Sequence, residues 1–249
     1  MTDIREDFVS IIFVSWAMDP FRSQLARASL KSLQDSIKSS AEIIVVDNGG
    51  NIEDSKFFVE ECEAKRIALY IKNADNMNFA FGRNQALQAA SGNWIAIVDN
   101  DIIYRNNWLE YCLQMLKVHA DKKLIASPIN YPYVHQRDPR WRHGTIPVKG
   151  RQCNLTERAG SNCMVFRREV LDEVGMFELH RISGSHFTDN LVRKGYLVIT
   201  PEVNWAFDAA LRRGFNFKKG MEVKRTLSDG EQIDYYDETF RNYFSIPQH

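Results

Sequence analysis

Two aspartates stand two positions apart at the end of an apolar stretch, WIAIVDND (Trp94–Asp101). Side chains two positions apart on a strand share a face, so Asp99 and Asp101 could both face one ligand. Mg²⁺ and Mn²⁺ favour carboxylate oxygens, and a cation held in this way can bind a diphosphate. A solvated turn is the structural alternative, because Asp-Asn-Asp also has good turn chemistry. Taken alone, this stretch leaves both interpretations open.

Apolar and amphipathic segments alternate over residues 1–105, and this pattern determines where the aspartates lie. The predicted strands are Phe8–Trp16, Ala41–Val46, Arg66–Asn73 and Asn93–Asp101, and the predicted helices are Phe21–Ile37, Ser55–Arg66 and Asn78–Ser91. Strands and helices in this order, joined by right-handed crossovers, predict an α/β fold with a parallel, doubly wound sheet. Ligands of such sheets bind beyond the carboxyl ends of the strands.

The strand ends gather a set of polar side chains that suits a nucleotide. Asp47 follows a second buried strand, and Arg83 and Asn84 lie in the early turns of the helix predicted beside it. In this set a carboxylate could bind a base or ribose, and a guanidinium could bind phosphate. A metal held by the aspartates could neutralise the remaining charge. This context favours a site over a plain turn at Asp99 and Asp101.

The second half of the chain has a less regular pattern. Helices are predicted over Asn106–Asp121 and in the segment Ala206–Gly214, and a strand, a turn and a helix over Asn162–Phe177. Another helix is predicted from His186, with a strand after it. The stretch Tyr131–Asn154 has no clean period and is rich in aromatic and basic residues. We expect it to be a loop that either closes over a donor as a lid or packs on its own domain.

Composition excludes several classes of protein. The chain has 249 residues and is 44% hydrophobic, enough for a core in one large domain or two fused halves. Lys plus Arg equals Asp plus Glu, at 32 each, which gives no support for broad electrostatic capture of nucleic acid and leaves only a local basic patch open. The apolar run Phe8–Met18 follows acidic residues and is shorter than the ~20 residues that span a bilayer. We therefore expect no transmembrane segment and a cytoplasmic protein, possible contact with a membrane surface being left open.

The four cysteines lack metal-binding spacing and are expected to be free thiols.

Four motifs in order resemble family 2 glycosyltransferases of the GT-A fold. They are VSIIFVSWAMD (Val9–Asp19), EIIVVDNGG (Glu42–Gly50), NADNMNFAFGRNQALQAASGNWIAIVDND (Asn73–Asp101) and RREVLDEVGMFEL (Arg167–Leu179). The resemblance implies a Rossmann-like, nucleotide-sugar-binding half, residues 1–105. It also implies an acceptor-binding and catalytic half, residues 106–249, joined to the first through one central mixed sheet as one continuous GT-A domain.

The resemblance also implies roles for individual residues. Arg83 is expected near the diphosphate, and Asp47 at the base or ribose. Asp99 and Asp101 form the DxD motif, in which Asp101 holds Mn²⁺ or Mg²⁺ directly. Asp99 is the second carboxylate of the metal site and reaches the ribose or the sugar. The full set of nucleotide-sugar-binding residues predicted in this way is Ser15, Asp47, Asn76, Arg83, Asp99 and Asp101.

Two features depart from the family pattern. Trp16 stands where the family often has a small or polar residue, and Met77 with Asn78 replaces the usual glycine-rich turn. The loop after Asn76 is therefore expected to differ in shape. Some family members add a late histidine to the metal, for which His180 and His249 are candidates along with His186, but none is assigned.

Inverting transfer to a hydroxyl needs a carboxylate that takes the acceptor proton. The family supplies it from an acidic pair at the start of a helix, which corresponds here to Thr188 and Asp189. Asp189 is therefore predicted as the catalytic base. The alternative is that Asp189 only caps or charges the first turn of its helix. His186, Asp208 and Glu178 are rival candidates for the base.

Together these implications predict a metal-dependent inverting glycosyltransferase of the hexosyltransferase type. It would use a UDP-, GDP- or dTDP-linked sugar as donor and a hydroxyl acceptor, expected to be a glycan or glycoconjugate. One alternative is a catalytically degenerate protein that only binds the nucleotide sugar. Another is a sugar nucleotidyltransferase, which should carry a glycine-rich, basic loop after the first strand, where this chain has WAMDPFRSQ.

Overall fold

A computed structural model describes residues 7–17, 19–130, 141–158, 162–179, 183–202, 204–208, 224–226 and 232–234. The strands are β1 (Val9–Ser15), β2 (Ala41–Asn48), β3 (Leu69–Asn73), β4 (Trp94–Asp99), β5 (Ile102–Tyr104), β6 (Leu124–Ala126), β7 (Arg142–Val148), β8 (Arg151–Thr156), β9 (Cys163–Arg167), β10 (Leu197–Thr200), β11 (Ala206–Asp208), β12 (Lys224–Thr226) and β13 (Gln232–Asp234). The helices are α1 (Pro20–Ser36), α2 (Ile52–Glu63), α3 (Phe79–Ala89), α4 (Trp108–Val118), α5 (Val170–Val174) and α6 (Ser183–Arg193).

Nine of these strands form one mixed sheet in the order β3-β2-β1-β4-β9-β6-β10-β8-β7. The pairs β1–β2, β1–β4 and β2–β3 are all parallel, as the alternation of these strands with helices predicts. Antiparallel pairing of β4 with β9 joins the first half of the sheet to the second. The prediction of an α/β fold with one central mixed sheet is confirmed.

The sheet buries both of its faces, which explains the continuous apolar runs of its central strands. On one face Ile11 and Phe13 of β1 lie in a core cluster with Leu30 of α1 and Phe58 of α2. On the other face Ile12 lies in a second cluster, with residues of α3 and α6 such as Leu87 and Leu191. Each fully buried side chain of this size contributes about 1.5–3 kcal/mol, so the register of β1 is firmly specified.

This register places the predicted site residues side by side at one edge of the sheet. Ser15 at the end of β1 pairs with Asp47 on β2, and Val14 pairs with Asp99 on β4. The carboxyl ends of three neighbouring parallel strands therefore meet where the sequence predicts a ligand site.

Two predictions for the second half are wrong. Part of the predicted loop Tyr131–Asn154 is an antiparallel hairpin of β7 and β8 at the edge of the sheet. The start of the predicted helix Ala206–Gly214 is strand β11, which pairs with β5. In both places strand pairing with a distant segment overrides the local pattern. The rest of the predicted loop, residues 131–140, and residues 209–214 lie outside the described residues.

Among the helices within the described ranges, none is long and apolar enough to cross a membrane.

Candidate active site

A cleft of about 540 Å³ opens beyond the carboxyl ends of β1, β2 and β4. Its described lining consists of Val14, Trp16, Phe21, Arg22, Leu25, Asn48, Asn76, Asn78, Phe79, Asp99, Asn100 and Asp101. A second cavity of about 520 Å³ lies between the starts of α1 and α2, and its lining includes none of the predicted site residues. The first cleft therefore lies where parallel sheets bind ligands, and predicted site residues line it.

The acidic wall of the cleft consists of Asp99, Asn100 and Asp101. Strand β4 ends at Asp99, and the next two residues form a turn. The alternation expected for a strand therefore does not extend to Asp101, and Asn100 lines the cleft beside both aspartates rather than pointing away from them. The Asn100 amide also donates a hydrogen bond to the hydroxyl of Ser15 at 3.3 Å. The stretch is at once a turn and a wall of the cleft.

Arg83 lies behind this wall. Its Nη2 donates a hydrogen bond to Oδ1 of Asp99 at 2.5 Å, and its side chain is only 1% exposed. The guanidinium carbon lies 3.5 Å from the centroid of the Phe79 ring and 5.1 Å from that of Phe177. Burial lowers the pKa of Arg83, and the charge of Asp99 opposes that shift. Arg83 is not among the residues that line the cleft.

Asp47 is also buried, at 1% exposure, and its carboxylate is held by neighbouring groups. Oδ2 accepts hydrogen bonds from the Ser55 hydroxyl at 2.5 Å and the Tyr70 hydroxyl at 3.0 Å, and Oδ1 accepts one from the Gly50 amide at 2.8 Å. Burial, with a contribution from the charge of Asp47, raises the pKa of Tyr70 to about 12. Asp47 and the buried Ser15 thus stand beside the cleft without lining it.

An amide network forms another part of the cleft lining. The buried Asn48 donates to the Asn76 side chain at 3.0 Å and to the Asn78 carbonyl at 2.9 Å, and it accepts from Asn73 at 2.9 Å. Asn78 has a left-handed φ of +68° and caps α3 by accepting from the Phe81 amide. These carboxamides hold the loop that replaces the family's glycine-rich turn. The sequence indicated the departure but not the network that supports it.

Trp16 and Arg22 supply an aromatic ring and a cation on the rim. Trp16 is 40% exposed, which is unusual for so large an apolar side chain, and it lines the cleft. Arg22 lines the cleft as well, and its side chain is 50% exposed. An exposed ring beside hydrogen-bonding amides suits a flat heterocycle. In the sequence Trp16 stood out only as a departure from the family pattern, and Arg22 did not stand out.

The predicted base is carried by helix α6. Asp189 of α6 accepts a hydrogen bond from Arg158 Nη2 at 2.6 Å, and its side chain is 39% exposed. The Arg158 guanidinium lies 5.3 Å from the centroid of the Trp141 ring. Helix α6 begins at Ser183, so Asp189 follows the first turn and does not cap the helix.

Only some of the rival candidates for the base, and of the candidate metal-binding histidines, lie within the described residues. His186 Nδ1 lies 3.4 Å from a carboxylate oxygen of Glu178. Asp208 belongs to β11, and its side chain is not described. His180 and His249 lie outside the described residues.

The donor set of the cleft fits a divalent cation that is shared with a ligand. No group of three His, Cys, Asp or Glu side chains capable of holding a metal occurs in the described part of the chain. Asp99 and Asp101 nevertheless bring hard carboxylate oxygens to one wall of the cleft. Mg²⁺ is commonly bound by one or two carboxylates together with substrate phosphates, so two aspartates suffice for such a site.

The mixed sheet, with a cleft at its parallel edge, defines the fold class. The structure aligns with the mannosyltransferase PcManGT from Pyrobaculum calidifontis in complex with GDP-Man and Mn²⁺, at a TM-score of 0.63 and 20% identity. It also aligns with residues 1–349 of S. aureus TarS, at a TM-score of 0.60 and 14% identity. The alignments cover 83% and 82% of this chain, and 58% and 60% of the other chains. The predicted GT-A fold is confirmed.

Residues 21–175 match the model of glycosyl transferase family 2, and the chain belongs to this family. Glycosyltransferase AglE from Haloferax volcanii is 25% identical over 166 residues, 64% of this chain and 53% of AglE. EpsH from Bacillus subtilis is 32% identical over 98 residues, 39% of this chain and 27% of EpsH. The chain thus spans about half or less of these relatives. Family and relatives support the prediction of a glycosyltransferase.

Proposed function

We propose that this protein is a metal-dependent, inverting glycosyltransferase that moves a sugar from a nucleotide-diphosphate-sugar to a hydroxyl of a glycan or glycoconjugate. In this proposal residues 1–105 bind the donor, and residues 106–249 bind the acceptor and supply the base. The observation that carries the proposal is the composition of the cleft, whose lining combines two aspartates, several side-chain amides and an exposed aromatic ring.

The donor is proposed to lie along this cleft. The base stacks on Trp16 and hydrogen-bonds to the amides of Asn76 and Asn78, while the diphosphate lies toward Asp101 and Asp99. Ser15 and Asp47 do not contact the donor in this proposal. Ser15 holds Asn100 in place, and Asp47 holds the β2–α2 turn. Asp101 and Asp99 hold Mn²⁺ or Mg²⁺, which neutralises charge on the diphosphate when bound. The GDP-Man and Mn²⁺ in the PcManGT complex support this class of donor and cation.

Asp189 is proposed to act as the general base. Its carboxylate takes the proton of the acceptor hydroxyl while the oxygen attacks the anomeric carbon and the bond to the diphosphate breaks. The proton ends on Asp189, and the electron pair of the broken bond leaves with the nucleoside diphosphate. Arg158 holds the carboxylate by one oxygen, so that a defined orientation is kept in a side chain that remains 39% exposed.

The test is release of nucleoside diphosphate from GDP-mannose and from UDP- and dTDP-linked sugars, each with Mn²⁺ and with a chelator. A transferase with a bound donor hydrolyses it slowly even without the acceptor, so we expect cation-dependent release from one donor class. Binding of a donor without release, in the presence of sugar acceptors, would instead indicate a protein that only binds nucleotide sugars.

A further inference from the structure

We propose that Arg83 is a positioning residue that neutralises and orients Asp99 from behind the cleft, and that it does not touch the diphosphate. This inference rests on the proposed function, because the charge of Asp99 matters only if a cation and a donor bind beside it. It assigns Arg83, which lies in the third of the four motifs, a task different from phosphate binding.

Burial is the first observation behind this inference. The Arg83 side chain is 1% exposed, and the ring of Phe79, which itself lines the cleft, covers its guanidinium at 3.5 Å. Phe177 lies near the same group at 5.1 Å. A guanidinium held between two rings cannot reach a ligand in the cleft unless α3 or the rings move. An arginine that binds phosphate in solvent would be at least partly exposed, as Arg22 is at 50%.

The hydrogen bonds of Arg83 are the second observation. Nη2 bonds to Asp99, while Nε and Nη1 make no hydrogen bond with any residue that the structure describes. Burying a guanidinium with so few partners is costly, so the contact that it does make is expected to matter. That contact is with a carboxylate that is 31% exposed and lines the cleft. Arg83 therefore acts on the cleft through Asp99.

The consequence is electrostatic. The Arg83–Asp99 pair carries no net charge, so the acidic wall is less negative than two unpaired aspartates would make it. A divalent cation should then bind weakly to the nucleotide-free protein and firmly only once the diphosphate adds its own charge. Arg83 would in this way couple cation binding to donor binding without contacting the donor.

The test replaces Arg83 by methionine, which keeps an apolar stem between the rings and removes the charge. Arg66→Met is the matched control, because Arg66 is an exposed arginine paired with Glu61 just after α2, away from the cleft. Calorimetry measures the dissociation constant of Mn²⁺ without nucleotide and that of GDP with a chelator. Thermal melts establish that each variant is folded.

We expect Arg83→Met to bind Mn²⁺ about tenfold more tightly than wild type, because a buried positive charge near the cation is gone. Binding of GDP without metal should weaken by no more than about tenfold, since the same charge acts on the diphosphate with the opposite sign, and Arg66→Met should change neither constant. An unchanged or weakened Mn²⁺ affinity, or a large loss of GDP binding without metal, would overturn the proposal. An equal gain in Arg66→Met would do the same, because the effect would not be local.

A structure of the wild-type protein with GDP and Mn²⁺ tests the same point if Arg83→Met does not fold. The proposal requires that Arg83 remain on Asp99 with no guanidinium nitrogen within about 3.2 Å of a phosphate oxygen. A direct contact with the diphosphate would refute it. If wild type binds neither Mn²⁺ nor any of GDP, UDP and dTDP, the proposed function fails as well, whereas binding with a different pattern in Arg83→Met refutes this inference alone.

Discussion

The carboxylate of Asp189 is held by Arg158 at 2.6 Å and is 39% exposed, so it is oriented and still open to solvent. Neither the arginine nor the aromatic ring of Trp141 beside it could be paired with Asp189 from the sequence. The family pattern indicated the acid, and the fold adds the group that orients it. A base held in one orientation is what proton abstraction from a bound hydroxyl requires.

We expect Asp189→Asn to lower kcat by about 10²–10⁴-fold, because general-base catalysis contributes in that range. The amide keeps the size of the side chain, so the dissociation constant of the donor should be unchanged. Asp172→Asn, at an exposed aspartate of α5, is the control. Full activity in Asp189→Asn would remove this residue from the mechanism.

Trp16 is the residue expected to bind the base of the donor. Stacking of a base on an aromatic side chain is worth about 1–3 kcal/mol, so Trp16→Ala should weaken GDP binding by at least about fivefold. Val118→Ala, at another exposed apolar residue, is the control. Equal GDP affinity in wild type and Trp16→Ala, measured by calorimetry, would exclude stacking on this ring.

At the scale of elements, the β2–α2 turn and the β3–α3 loop approach each other closely. Gly49 has a φ of +77°, and a Cβ there would lie 2.5 Å from the carbonyl carbon of Asp75 and 2.7 Å from the amide nitrogen of Asn76. Both contacts are with backbone, which cannot move aside as a side chain would. The side chain of Asn48 also donates hydrogen bonds to Asn76 and Asn78 of the β3–α3 loop. The close packing of the turn on this loop therefore fixes the position of the amides that line the cleft.

Gly49→Ala should therefore destabilise the protein by about 3 kcal/mol and weaken donor binding, since it adds a clash to an unfavourable φ. Gly150→Ala separates the two effects, because Gly150 has a φ of +84° and open space around its Cα. The control should cost only about 1 kcal/mol. Denaturant unfolding measures both, and equal losses would show that the approach of the loop carries no strain.

Glu42, at the start of β2, joins three elements near the other end of the sheet. One carboxylate oxygen accepts hydrogen bonds from the Ser10 hydroxyl at 2.6 Å, the Ser91 amide at 2.7 Å and the Ser91 hydroxyl at 2.9 Å. Burial acts to raise the pKa of Glu42, but these hydrogen bonds outweigh it and the pKa is lowered from its ordinary value of 4.5. The ionised form therefore stabilises the folded protein.

Because the folded pKa is depressed, this contribution is present above a pH of about 4.5 and is lost as the pH falls through the folded value. Glu42→Gln should cost about 1 kcal/mol near neutral pH, and the difference from wild type should shrink in acid. Glu60→Gln, at an exposed carboxylate of α2, should show no such trend. A difference that is constant with pH would contradict the assignment.

At the scale of the whole molecule, the first half could be predicted because each element is specified locally. The apolar runs of β1, β2 and β4 and the caps and turns between them lie within short windows of sequence, and their common edge follows from parallel order. The second half depends on pairings between distant residues. Strand β11 pairs with β5, about a hundred residues away, and no local pattern in the segment Ala206–Gly214 reveals it.

The site divides in the same way. The position of Asp99 and Asp101 at the cleft was predictable, since they follow a buried parallel strand whose carboxyl end lies at the edge where such sheets bind ligands. The burial of Arg83 between Phe79 and Phe177 was not, because it depends on a segment nearly a hundred residues further on. Amide networks such as that of Asn48 are equally invisible, since asparagines near turns are common in any loop.

The central claim is that this cleft binds a nucleotide-diphosphate-sugar together with a cation on Asp101. The most direct test is the thermal unfolding of wild type, Asp101→Asn and Asp121→Asn with GDP-mannose and with UDP- and dTDP-sugars, each with and without Mn²⁺. Asp121 is an exposed aspartate near the end of α4 and serves as the control. One donor class should raise the unfolding temperature of wild type and Asp121→Asn by about 5 °C only when Mn²⁺ is present, and should leave Asp101→Asn unchanged. No shift in wild type with any donor, or an equal shift in Asp101→Asn, would contradict the claim.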